Sequence, residues 1–92
     1  MSKLTNKLTK MAADQLLGRK IIDVQYMSSE EAEEYGWYKR PVMFQLDDYT
    51  WVYPSMDDEG NNGGSLFSTS EYKGIPTNEK EEWVLPVLRV GD

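Results

Sequence analysis

Apolar residues recur at spacings of three and four near the start of the chain. Leu4, Leu8, Met11, Ala12 and Leu16 form one stripe, with Lys3, Lys7 and Lys10 around the rest of the turn. This is the period of an amphipathic helix. Gly18, which lacks the Cβ that disfavours left-handed backbone, supplies its stop. From residue 19 the period becomes two: Ile22, Val24 and Tyr26 alternate with Asp23 and Gln25, which predicts a half-buried strand. Residues 28–36 read as a short helix marked at both ends. Ser28 and Glu31 stand at capping-box spacing, Met27 and Ala32 occupy the hydrophobic-staple positions, and Gly36 closes the helix. Glu30 and Glu31 lie where the helix dipole favours negative charge.

The best hairpin follows. Val42, Phe44 and Leu46 share one strand face, Asp47-Asp48-Tyr49 turns, and Thr50-Trp51-Val52-Tyr53 returns. Positive φ is costly at Tyr49, so a loop longer than two residues is expected. Residues 54–64 form a polar loop broken by Gly60, Gly63 and Gly64, and residues 65–69 a short strand. Residues 70–82 form a second connection, with Gly74, Pro76 and the charged run Glu79, Lys80, Glu81 and Glu82. Residues 83–90 are β-prone, but Pro86 has no N–H for a ladder, so this is an edge strand or one broken at a bulge. The order predicts an α+β domain: a small antiparallel sheet or partly closed β-barrel of roughly four or five strands, with the N-terminal helix packed against it and one short helix. Residues 1–92 are read as a single domain, with the N-terminal helix in 1–18 and a mainly β body in 19–92.

Composition narrows the chemistry. A chain of 92 residues buries only about 60–65% of its unfolded surface, so its core is small. Three Trp, six Tyr and two Phe supply much of that core. There is no Cys and no His. Disulfides, thiolate sites and the commonest general base are therefore excluded, and only hard oxygen ligands remain for a metal. No run approaches the roughly 20 apolar residues of a membrane span, and residues 1–18 lack the apolar core of a signal peptide. A cytoplasmic location without membrane attachment is expected. Residues 1–20 carry five cations and one acid, a net +4, which leaves −10 on residues 21–92 of the total −6. The basic segment reads as ordinary solubility chemistry or as an arm for an acidic partner or nucleic acid.

The loop at 57–62 gathers Asp57, Asp58, Glu59, Asn61 and Asn62, the donor types that Ca²⁺ or Mg²⁺ takes. The EF-hand spacing fails, because Asn62 stands where that template needs Gly and Ser68 where it needs Glu. The other reading is a metal-free turn held by Asx hydrogen bonds. A nucleotide site is not expected here, since the glycines lack a following Gly-Lys-Ser/Thr and the three acids repel phosphate. Trp37, Tyr38, Lys39 and Arg40 combine rings with cations, as a stacking or carboxylate-binding patch does; alternatively Trp37 caps the core and Arg40 pairs with an acid. Trp51 and Tyr53 share one strand face and are candidates for an exposed aromatic surface, unless the helix and loops cover both faces. Catalysis is hard to build without His or Cys.

The stretch 17–67 resembles a group of short uncharacterised bacterial and phage proteins. The matching residues are Leu17-Gly18, the Ile22/Val24/Tyr26 strand, Gly36-Trp37 with Arg40-Pro41, and Tyr53-Pro54-Ser55 followed by Asp57-Asp58-Glu59-Gly60-Asn61 and Gly64. The Asp48-Tyr49 turn departs from the Asp-Gly of that pattern. The resemblance implies a bacterial or phage accessory protein and no known activity.

The leading expectation is a non-enzymatic module that binds a protein partner through Trp37, Tyr38, Arg40, Trp51 and Tyr53 or through Asp57, Asp58, Glu59 and Asn61. One alternative is a divalent-cation-dependent module on the 57–62 loop. Another is an acidic regulator or mimic that binds a nucleic-acid-binding protein; direct nucleic-acid binding is not expected from a body of this charge.

Overall fold

The computed structural model describes residues 2–69 and 82–92, together with the backbone of 71–72 and 75–76. In chain order the elements are α1 (Lys3–Leu16), β1 (Ile21–Tyr26), α2 (Ser29–Glu34), β2 (Lys39–Arg40), β3 (Val42–Leu46), β4 (Trp51–Val52), β5 (Leu66–Phe67), β6 (Glu71–Tyr72), β7 (Ile75–Pro76), β8 (Val84–Leu85) and β9 (Leu88–Arg89). The fold is α+β. Its centre is an antiparallel three-stranded sheet in the order β1-β3-β4, and β2-β9, β5-β8 and β6-β7 form separate two-stranded ladders.

The expected single sheet of four or five strands is thus divided, and no closed barrel forms among the described residues. Prolines explain part of the division. Pro41 separates β2 from β3, and Pro86 with Val87 splits the 83–90 stretch into β8 and β9. Gly74, Glu79, Lys80 and Glu81 lie outside the described residues.

In the central sheet Tyr26 stands opposite Val42, Val24 opposite Phe44, Gln25 opposite Met43, and Gln45 opposite Trp51. The register slips between Ile21 and Asp23, so Ile22 is the extra residue of a bulge. Arg19 anchors this end, its guanidinium 3.5 Å from both Asp47 and Asp48. The hairpin closes over residues 47–49, where Leu46 N–H donates to Thr50 O at 2.9 Å and Tyr49 takes φ +70°. A three-residue loop with one left-handed position matches the twist of its strands.

Helix α2 is fixed at both ends. The Ser28 hydroxyl accepts Glu31 N–H at 3.1 Å and donates to Glu31 Oε1 at 3.2 Å. The carboxylate of this capping pair therefore takes the hydroxyl instead of the Ser28 N–H. At the other end Gly36 sits at φ +77°, its N–H reaching Glu33 O at 2.9 Å while Trp37 N–H reaches Ala32 O at 2.8 Å. This is a Schellman closure, and it presses the residue two beyond the cap back onto the helix. The core follows from it: Met27, Ala32, Trp37 and Met43 form one buried cluster, with Trp51, Tyr53 and Val90 packed against it.

Both faces of β3 are covered, one of the two readings of this hairpin: Val42 and Leu46 are buried on one face and Met43 on the other, beneath α2 and Trp37. One expectation is corrected: the N-terminal helix α1 is not packed on the sheet and buries none of its residues. Leu4 is 64% exposed, and Leu8, Met11 and Leu16 are about half exposed. The core-facing side of the sheet is already taken by α2 and Trp37, which leaves α1 no seat there. The radius of gyration is accordingly 15.2 Å, against about 12 Å for a compact chain of this length.

Candidate functional site

A cleft of about 230 Å³ lies where α2 meets the core side of the central sheet, lined by Gln25, Met27, Glu31, Tyr35, Met43, Trp51 and Tyr53. Strand alternation places the sheet's share. Gln25 and Met43 are cross-strand partners, and Trp51 lies on the next strand beside Gln45, so these side chains emerge on one face. Met27 and Met43 are buried and supply a soft, polarizable floor. Glu31 comes from the first turn of α2 and Tyr35 from its C-cap. Trp37 stands beneath the two tyrosines, with ring centroids 5.2 Å from Tyr35 and 5.9 Å from Tyr53, the latter edge-to-face.

The electrostatics of the cleft are one-sided. Burial pushes the Tyr53 phenol above its ordinary range, and the adjacent Tyr35 phenol adds to the effect, which keeps Tyr53 neutral at physiological pH. Among the described residues Glu31 is the one charged group in the lining, and no Lys or Arg joins it. The Gln25 side-chain amide and the Trp51 indole N–H bond to no other described residue.

Trp51 and Tyr53 are thus brought together, half-buried and not as a flat exposed face. The expected patch at 37–40 is dispersed. Trp37 is 6% exposed, and its indole N–H donates to Gly60 O at 2.6 Å. Arg40 pairs with no acidic side chain; its Nε donates to Met27 O at 2.8 Å and its Nη1 to the main-chain oxygen of Asp92 at 3.0 Å. Both residues are committed to holding the fold. Tyr38 projects outward beside Lys39, Arg89 and Val90, away from the cleft lining.

The 54–64 loop is tied to itself. Asp57 Oδ1 accepts the N–H groups of Glu59 and Asn61 at 3.0 and 3.3 Å, and its Oδ2 accepts Asn61 Nδ2 at 2.7 Å. The Asn61 side-chain bond first, then the backbone donors, hold the Asp57 carboxyl below the usual carboxylate range. Both oxygens that a cation would use are engaged in Asx-type bonds. Among the described residues no group of three or more carboxylates is placed to hold a metal ion. Asp58, Glu59 and Asn61 are exposed around the same turn, and Asn61 meets Asp57 through its N–H and Nδ2 donors.

Gln25, Met27, Glu31, Tyr35 and Met43 entered the cleft without being singled out as site residues, although Met27 and Glu31 had already been marked by the signals that start α2. Asn62, marked in the sequence as one of the loop's donors, is buried, at 4% exposure, and its Oδ1 accepts Lys39 N–H at 3.2 Å and Gly63 N–H at 3.0 Å.

Comparison of the chain with protein-family models, with curated proteins and with solved structures gives no match. Among the described residues no helix is long and apolar enough to cross a membrane.

Proposed function

We propose that this chain is a non-enzymatic protein-interaction module, a bacterial or phage accessory protein, that grips its partner with the cleft between α2 and the β1-β3-β4 sheet. The observation that carries this reading is the lining itself: Tyr35, Trp51 and Tyr53 around a floor of Met27 and Met43, with polar groups from Gln25 and Glu31. Tyr and Trp supply large contact area at small entropy cost and are the residues enriched at binding hot spots. A volume of about 230 Å³ lies below the roughly 300–1,000 Å³ of drug-sized pockets, and suits one inserted side chain better than a cofactor. A single carboxylate supplies no acid–base pair for catalysis.

The excess of acid favours a basic partner, the regulator or mimic reading. Residues 21–92 carry −10, and α2 contributes Glu30, Glu31, Glu33 and Glu34 to that charge. Of the four acids of α2, only Glu31 lines the cleft; such an association weakens as salt rises. The cation-dependent reading draws no support from the 57–61 loop, whose Asp57 is already bonded.

The test is site-specific photocrosslinking in the native cell. A photoreactive residue in place of Tyr35 captures a discrete partner, and one in place of Leu8 on α1 does not. Capture from Leu8 and none from Tyr35 moves the interaction to the N-terminal helix and ends the cleft reading.

A further inference from the structure

The cleft has the chemistry of a receptor for a cation. Three aromatic rings line it, and the face of an aromatic ring is the negative part of its quadrupole. A Lys or Arg head within about 6 Å of a ring centroid is attracted by that face. Glu31 adds the only formal charge among the described lining residues, and it is negative. Its Oε1 receives only the 3.2 Å bond from the Ser28 hydroxyl, so the carboxylate retains free acceptor sites. The Gln25 amide adds an acceptor oxygen with no partner among the described residues. An ammonium or guanidinium group needs this set: acceptors at one side of the cleft, and ring faces and thioethers for the alkyl stem.

The chain leaves the position to an outside group. Lys39 and Arg40, the nearest cations in sequence to the cleft-lining Tyr35, are held elsewhere: Arg40 on Met27 O and Asp92, Lys39 beside Tyr38 and Arg89. The acidic face of α2 raises the local concentration of a positively charged partner.

We infer that the cleft between α2 and the β1-β3-β4 sheet receives a lysine or arginine side chain of a partner polypeptide, its cationic head held by Glu31 and Gln25 and its stem by Tyr35, Trp51 and Tyr53. This rests on the cleft being the recognition site, and the experiment separates the two claims.

The full chain, labelled with ¹⁵N, is titrated by NMR with three capped pentapeptides that differ only at the central residue: lysine, arginine or norleucine. Norleucine keeps the alkyl stem and removes the charge. The lysine or arginine peptide shifts the Trp51 indole and Gln25 side-chain signals and binds roughly three- to tenfold tighter than the norleucine peptide. Glu31→Gln abolishes that preference and leaves norleucine binding unchanged. Because Glu31 also belongs to the cap of α2, its variant is checked for an unchanged amide spectrum. Should it fail to fold, Gln25→Leu on the exposed strand takes its place, with the same expected loss of preference. Equal binding of all three peptides at Trp51 overturns the cation inference and leaves the cleft as a recognition site. Shifts confined to residues outside the cleft, or none at all, also overturn it, and crosslinking at Tyr35 then decides separately whether the cleft reading stands.

Discussion

The indole N–H of Trp37 donates to the carbonyl of Gly60 at 2.6 Å, across 23 residues of sequence. One ring therefore joins three parts of the molecule. Its backbone closes α2, its face supports Tyr35 and Tyr53 of the cleft, and its nitrogen holds the glycine loop. Trp37→Phe keeps much of the ring and removes the donor. It is expected to cost about 1–3 kcal/mol, the penalty for an unmet polar group with partial burial. Urea unfolding reads this as a lower midpoint at unchanged slope.

Asn62 holds the other side of that loop. It caps the N–H groups of Lys39 and Gly63, and Ser55 Oγ and Met56 N–H both reach its carbonyl oxygen. Asn62→Ala strips the acceptor from two N–H groups and is expected to destabilise the domain by about 2–4 kcal/mol. Calorimetric or urea unfolding checks it. A loss below half a kilocalorie per mole contradicts the role given to this side chain.

The loop also predicts a pH effect of known sign. Asp57 is held below its ordinary value of 3.8. The folded state thus prefers the carboxylate, and the stabilisation is full above the unfolded pKa. It is lost as pH falls through the lowered folded pKa. Asp57→Asn removes this dependence. Between about pH 5 and pH 3 the wild-type urea midpoint therefore falls more steeply than that of the variant. Parallel curves contradict the assignment. Asp48 contributes in the same direction through Thr50 N–H.

Helix α1 buries nothing, and an isolated helix of 14 residues is marginal in water. Leu8→Ser and Met11→Ser together are expected to change the stability of the body by less than about 0.5 kcal/mol, as surface substitutions do. Amide exchange in 3–16 is expected to be orders of magnitude faster than in β3. Slow exchange in α1 contradicts its exposed placement.

How far the sequence could be read depended on the range of the interactions. Local signals were legible. Ser28, Glu31 and Gly36 bracket α2 as marked, and Gly18 at φ +78° follows the cap residue Leu17. The strands β1 and β3 were also legible, but the half-buried face expected of β1 was not found: Ile22 falls in a bulge and, like Val24, is exposed. What covers each sheet face was not legible. Parity put Trp51 and Tyr53 on one side, but no local pattern says that Tyr35 and Glu31 of α2 arch over that side, or that α1 does not. Of the two readings at 37–40, Trp37 takes the core-capping one, because the closure of α2 turns it inward, while Tyr38 stays exposed. Of the two readings of the acidic loop, the Asx-bonded turn is the one its geometry displays, with Asp57 engaged by the N–H groups of Glu59 and Asn61 and by Asn61 Nδ2.

The central claim is that the cleft is where a partner binds. The most direct test is the affinity of the partner captured at Tyr35, measured by titration calorimetry for wild type, Tyr35→Ser and Leu8→Ser. Tyr35 is 57% exposed, so its substitution leaves the fold intact, which an unchanged urea midpoint confirms. The account predicts that Tyr35→Ser weakens binding about tenfold or more while Leu8→Ser leaves it unchanged. Wild-type affinity in Tyr35→Ser contradicts it.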